Sequence, residues 1–216
     1  MSAPVAGGLR RFLAPAPPRP ERCELCGVEL AGEHRHLVDV EQRVLACSCP
    51  PCALLLDREG AGAGRFRAVP QRYLTDSRAE LGEALWTALG IPVGVAFLLR
   101  TGDPERLLAV YPGPAGPTES DPGPSGTQTL TAATGLAALL RPDTEALLLV
   151  RTDGDRPGGD RLCALVPVDA AYALVGRLRK HWRGFDGGPQ ARAQLAEFLG
   201  DLRARATAVA VERSAP

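Results

Sequence analysis

The chain has 216 residues, 45% hydrophobic and 5% aromatic, enough to bury a core in one medium domain or in a small module joined to a domain. Its 25 basic residues balance its 25 acidic ones, which removes the global positive field that draws proteins to nucleic acid or anionic membranes. No segment approaches the ~20 uninterrupted apolar residues that a membrane-spanning helix needs, so a soluble, cytoplasmic protein is expected, with no nucleic-acid partner and no membrane insertion.

Residues 1–22 lack a continuous apolar stretch and are rich in proline from Pro15 onward, which reads as a flexible leader. A Cys-rich module follows over residues 23–60. Five of the six cysteines fall within thirty residues, at metal-ligand spacing rather than dispersed as a disulfide framework would be. In Cys23-Glu-Leu-Cys26-Gly27, two intervening residues let both sulfurs reach one ion, and Gly27 permits the turn that aims backbone N–H groups at sulfur.

The stretches around His34–Val40 and Gln42–Ser48 predict two strands joined near Glu41, followed by a short helix over 53–59. Cys49 and Cys52 repeat the two-residue spacing at the beginning of that helix, where unpaired N–H groups and the macrodipole favour thiolate. The order of knuckle, hairpin and helix is that of a treble-clef or zinc-ribbon-like module. The predicted metal ligands are therefore Cys23, Cys26, Cys49 and Cys52, with zinc as the metal and rubredoxin-like iron as the alternative. Cys47 is a fifth thiol and stands as an alternative ligand. His34 and His36 share a face of the predicted hairpin and are a weaker replacement for a cysteine.

Residues 77–207 read as an α+β domain: a mostly antiparallel sheet covered by helices on one face. Ser77 is placed to cap a helix running to Leu89, with Glu80 completing a capping box. Strands from Val93 and over Arg106–Tyr111 suggest a hairpin, and 112–126 reads as a long loop. A helix over Gln128–Leu140 precedes a second hairpin, Ala146–Arg151 and Leu162–Val168, joined by the turn at 153–159. Asp169 caps a helix whose apolar face is Tyr172, Val175, Leu178 and Trp182. The final helix, 189–206, places Leu195, Phe198, Leu199 and Leu202 on one stripe, and the last ten residues are expected to fray.

No pairing of nucleophile, base and carboxylate emerges, so no catalytic residue and no organic cofactor is assigned. Cys163 alternates with apolar neighbours in a predicted strand, as a structural thiol does. Tyr111, Glu119, Trp182 and Arg183 sit where an aromatic and polar groups meet at the end of a regular element, and are the candidate partner surface.

The segments RCELCG, EHRHLVD, CSCPPCALLLDR, GRFRAVPQRYL, LGIPVGVAFLL, YPGPAGPTES, LVPVDAAYALVGRLR and HWRG give the chain a resemblance to the bacterial family DUF5947. Its genes often lie near those of nickel-iron hydrogenases. The resemblance implies an accessory or electron-transfer role beside a hydrogenase subunit or maturation factor, and supplies no catalytic residues. The reading that follows is a non-enzymatic zinc-binding accessory protein, with a rubredoxin-like iron carrier or a cysteine-dependent enzyme as alternatives.

Overall fold

The computed structural model describes residues 20–58, 60–102, 105–113, 116–152, 161–184 and 187–210. Most of the expected leader and the turn at 153–159 lie outside these. Among the described residues there are ten strands, six α-helices and one short 3-10 helix (Ala61–Gly64), α+β as expected.

The small sheet holds β1 (Arg35–Asp39), β2 (Val44–Ser48) and β3 (Phe66–Ala68), in the order β2-β1-β3 and antiparallel throughout. Helix α1 (Pro50–Leu56) follows β2 directly. It starts three residues before the predicted one because Pro50 and Pro51, with φ fixed near the helical value and no N–H to leave unpaired, favour a first turn.

The large sheet has seven strands in the order β10-β4-β9-β8-β5-β6-β7. Its centre is the pair of predicted hairpins, β5 (Val95–Gly102) with β6 (Glu105–Gly113) and β8 (Glu145–Arg151) with β9 (Arg161–Pro167). They join through β5 and β8, Phe97 lying opposite Leu148. The edges are β4 (Leu74–Thr75) with the parallel β10 (Thr207–Ala208) on one side and β7 (Gly116–Ser120) on the other. Residues 207 and 208, expected to fray, are thus paired.

Alternation along the central strands divides the core. Ala96, Leu98, Leu147, Leu149, Cys163 and Leu165 face α2 (Glu83–Leu89), α3 (Gly123–Ala133) and α4 (Leu136–Leu139). Val95, Phe97, Ala146, Leu148, Val150, Ala164 and Val166 face α5 (Val168–His181) and α6 (Gly188–Arg205). Helices therefore cover both faces rather than one. The unbroken apolar run of β8, ALLLV, is the sequence sign of a strand buried on both sides.

Other elements depart from expectation for identifiable reasons. Helix α2 starts at Glu83 because buried Asp76 organises the preceding segment: its Oδ1 accepts the Arg78 N–H at 2.9 Å and its Oδ2 the Thr134 hydroxyl at 2.8 Å. Thr134 in turn ends α3, dividing the predicted 128–140 helix. Within the expected long loop, Gly116–Ser120 pairs with β6, and Pro117 lies opposite Pro112 on an edge strand where missing N–H donors are tolerated. On α5 the buried stripe is Ala171, Leu174 and Leu178, and Tyr172 is 52% exposed. The smaller side chains sit against the sheet and the phenol is rotated outward.

Candidate metal centre

The knuckle is closed by backbone hydrogen bonds from Cys23 N–H to the Val28 carbonyl, 2.8 Å, and from Gly27 N–H to the Cys23 carbonyl, 2.7 Å. Gly27 takes φ +77°, a value that side chains avoid. Glu24 fastens the knuckle to β2: its N–H donates to the Cys47 carbonyl at 2.9 Å, and its Oε1 accepts the Cys47 N–H at 2.8 Å. Opposite, Cys49 is the N-cap of α1 and Cys52 lies in its first turn.

These elements bring together the sulfurs of Cys23, Cys26, Cys49 and Cys52, all within 4.8 Å of one another. Those of Cys26 and Cys49 are 3.7 Å apart. Cys23 and Cys49 are buried, Cys52 is half-buried and Cys26 is exposed, so the cluster sits just beneath the surface.

The electrostatics of the set favour a cation. Burial raises the Cys23 thiol, but hydrogen bonds from the backbone of Cys49, Cys26 and Leu25 and from the Cys26 side chain bring it down to about 6. Cys52 is pushed up to about 12, by the neighbouring Cys49 and Cys26 side chains first and by burial after them. Thiolates this close repel one another, so the protein alone favours ionisation of Cys23 and resists that of Cys26 and Cys52. A divalent ion removes that repulsion. Four sulfur donors from two C-x-x-C pairs suit a tetrahedral ion of borderline-soft or soft character.

Cys47 is not part of this set. Its position opposite His36 in the β1/β2 register turns it to the face that carries His34 and His36. One ring nitrogen of each histidine and the Cys47 sulfur again lie within 4.8 Å of one another. Burial raises the Cys47 thiol first, and the carboxylates of Glu24 and Glu21 add to the effect. The sequence signal for this second group was the His-x-His alternation. What it lacked was the strand register that adds Cys47.

The candidate partner-surface residues are separated. Tyr111, on β6, packs against the core beneath α2–α4, whereas Trp182, at the end of α5, packs against the core on the other face. The Trp182 indole N–H donates to the Gly184 carbonyl at 3.0 Å. Glu119 on the edge strand β7 and Arg183 are exposed. Cys163 is buried, with its thiol 3.5 Å from the Thr134 hydroxyl.

Compared with protein-family models, the chain matches one over residues 22–206. It belongs to the DUF5947 family, a family of unknown function. The match takes in both C-x-x-C pairs, the two histidines and every described helix, so the cysteine cluster lies within the DUF5947 region. No curated protein and no solved structure matches the chain. Among the described residues no helix is long and apolar enough to cross a membrane.

Proposed function

We propose that this DUF5947 protein is a zinc-binding, non-enzymatic accessory protein that docks a protein partner through its small module. The observation that carries this reading is the convergence of Cys23, Cys26, Cys49 and Cys52, which leaves an ion no open position for a substrate. Zinc is favoured over iron because the second pair opens directly into helix α1, where a rubredoxin-type knuckle turns back on itself.

Docking is supported by the distribution of exposed large hydrophobic side chains. Leu25 and Val28 on the knuckle, Val44 on β2, and Leu54 and Leu55 on α1 all belong to the module. Leu54 and Leu55 are 70% and 61% exposed, an arrangement that costs free energy unless a partner covers it. Such a concentration on the module makes it a better docking face than the dispersed Tyr111, Glu119, Trp182 and Arg183. A hydrogenase subunit or maturation factor, the partner raised by the family resemblance, is the first to test. Six unpaired cysteines suit a reducing compartment, and we place the protein in the cytoplasm.

Metal analysis together with an ultraviolet-visible spectrum tests the core of the proposal. The expected result is colourless protein carrying zinc, of which one equivalent is lost in Cys26→Ser. Thiolate-to-iron absorption would move the reading to rubredoxin-like electron transfer, and a metal-free chain with a folded module would end it. Binding to the purified partner should weaken in Leu54→Asp with the zinc content unchanged.

A further inference from the structure

We propose a second, three-ligand metal site formed by His34, His36 and Cys47, distinct from the four-cysteine cluster and retaining an exchangeable fourth position. This goes beyond the structural role proposed above and does not rest on it.

The geometry comes from the strand pair. His36 and Cys47 face each other across β1 and β2, and His34, just ahead of β1 and two residues before His36, completes a set whose three donor atoms lie within 4.8 Å of one another. The two imidazole rings have centroids 4.8 Å apart at 53°, tilted rather than stacked.

The hydrogen bonds then decide which nitrogens are available. His34 Nδ1 is 3.0 Å from the Ala31 carbonyl, which can only accept, so Nδ1 carries the proton and Nε2 presents its lone pair. The His34 side chain is only 7% exposed, and its Nε2 is buried without any hydrogen-bond partner. A bare lone pair buried in that position is unfavourable unless something binds it. His36 is oriented in the same sense, its Nδ1 donating to Asp169 Oδ2 at 2.8 Å and its Nε2 left for a ligand. A carboxylate holding the far nitrogen of a histidine is the usual support of a metal-bound imidazole, fixing the tautomer and strengthening the donor.

Two imidazoles and one thiolate suit a borderline-soft divalent ion, and three protein ligands leave one position for water or another small donor. On their other side His34 and His36, without Cys47, line a cavity of about 380 Å³ together with Tyr73, Asp169, Arg177 and Arg205. The site therefore joins the module, through its histidines, to α5 and α6.

The full chain, loaded with one equivalent of zinc at the four cysteines, is titrated with cobalt(II). Zinc outcompetes cobalt for a given ligand set, so added cobalt reports on the second site. We expect one equivalent of cobalt with four-coordinate visible bands and a near-ultraviolet sulfur charge-transfer band. Cys47→Ser should abolish the charge-transfer band, and Asp169→Asn should weaken cobalt binding by about 10–100-fold. In both variants the first zinc equivalent and the far-ultraviolet circular dichroism should be unchanged. Wild-type protein that takes up no cobalt, or whose cobalt spectrum lacks the sulfur band, overturns the proposal without need of any variant. Loss of the four-cysteine zinc with cobalt binding intact would leave this site standing and sink only the structural reading.

Discussion

Arg72 and Glu145 form a two-pronged ion pair at the junction of the small and large sheets: Nε to Oε1 is 2.6 Å and Nη2 to Oε2 is 2.8 Å. Glu145 is completely buried at the start of β8, and Arg72 also donates to the Leu139 carbonyl at 2.9 Å. The chain leaving β3 is thereby fixed to the central strand. Removing the guanidinium would leave a buried carboxylate supported mainly by the Arg141 N–H, 3.0 Å from Oε2. Arg72→Met should therefore lower stability by about 3 kcal/mol, the low end for a broken buried pair because a third of Arg72 is exposed. Adding Glu145→Gln should restore part of the loss. Denaturant unfolding checks both, and equal stabilities of Arg72→Met and wild type would refute the argument.

The second ion pair predicts a pH dependence. Arg65 donates to Asp39 Oδ2 through Nε and Nη2, and holds the Asp39 carboxyl below its ordinary value; burial opposes the shift, while the N–H groups of Gln42 and Glu41 reinforce it. A carboxyl depressed in the folded state contributes stability above its unfolded pKa of about 4. That contribution disappears as the pH falls through the lower folded value. The module should thus lose stability on acidification below about pH 4, and Asp39→Asn should be less stable at neutral pH with a shallower acid limb. Thermal melts of the two proteins from neutral pH down to well below the unfolded carboxyl value of about 4 make the comparison.

Metal removal should act locally. The cluster joining the module to the domain has only Val38, Val69 and Val168 as its buried members, far fewer than either face of the large sheet. With so small a shared core the module would depend on an ion held by the cysteines, as structural zinc contributes on the order of 10 kcal/mol to the folding of small domains. Chelation, or Cys23→Ser, should abolish amide-exchange protection over residues 35–56 while β5, β8 and β9 stay protected. Uniform protection before and after chelation would show that the cysteines are not structural ligands.

The clustering of the four cysteines was legible because two-residue spacing brings each pair of sulfurs together and proline and glycine mark the turns around them. The two hairpins were legible from their apolar runs. The second face of helices was not, since the ALLLV run of β8 signals burial on both sides without saying what covers either. Nor was the division of the 128–140 helix, which depends on Thr134 reaching Asp76 across 58 residues. Cys47 shows the same limit: its assignment away from the cluster follows from lying opposite His36, and a one-residue slip in register would have reversed it.

Cys163 bears on one form of the cysteine-dependent enzyme, that with its nucleophile on β9. It lies on β9 with 1% of its surface exposed, and burial pushes its thiol up to about 12; the Thr134 hydroxyl lowers it and the Asp76 carboxylate adds to the rise. Reactivity requires thiolate, which a thiol held this far up does not supply near neutral pH. Access is closed as well, since its sulfur packs in the core beneath α2–α4. Iodoacetamide should therefore leave Cys163 unmodified in native protein and alkylate it on unfolding, whereas the exposed Cys26 should react in the native chain once the metal is chelated. Peptide mass spectrometry reads both positions in one experiment. Native-state alkylation of Cys163 at a rate comparable to that of Cys26 would show an accessible, activated thiol and overturn its reading as a structural residue.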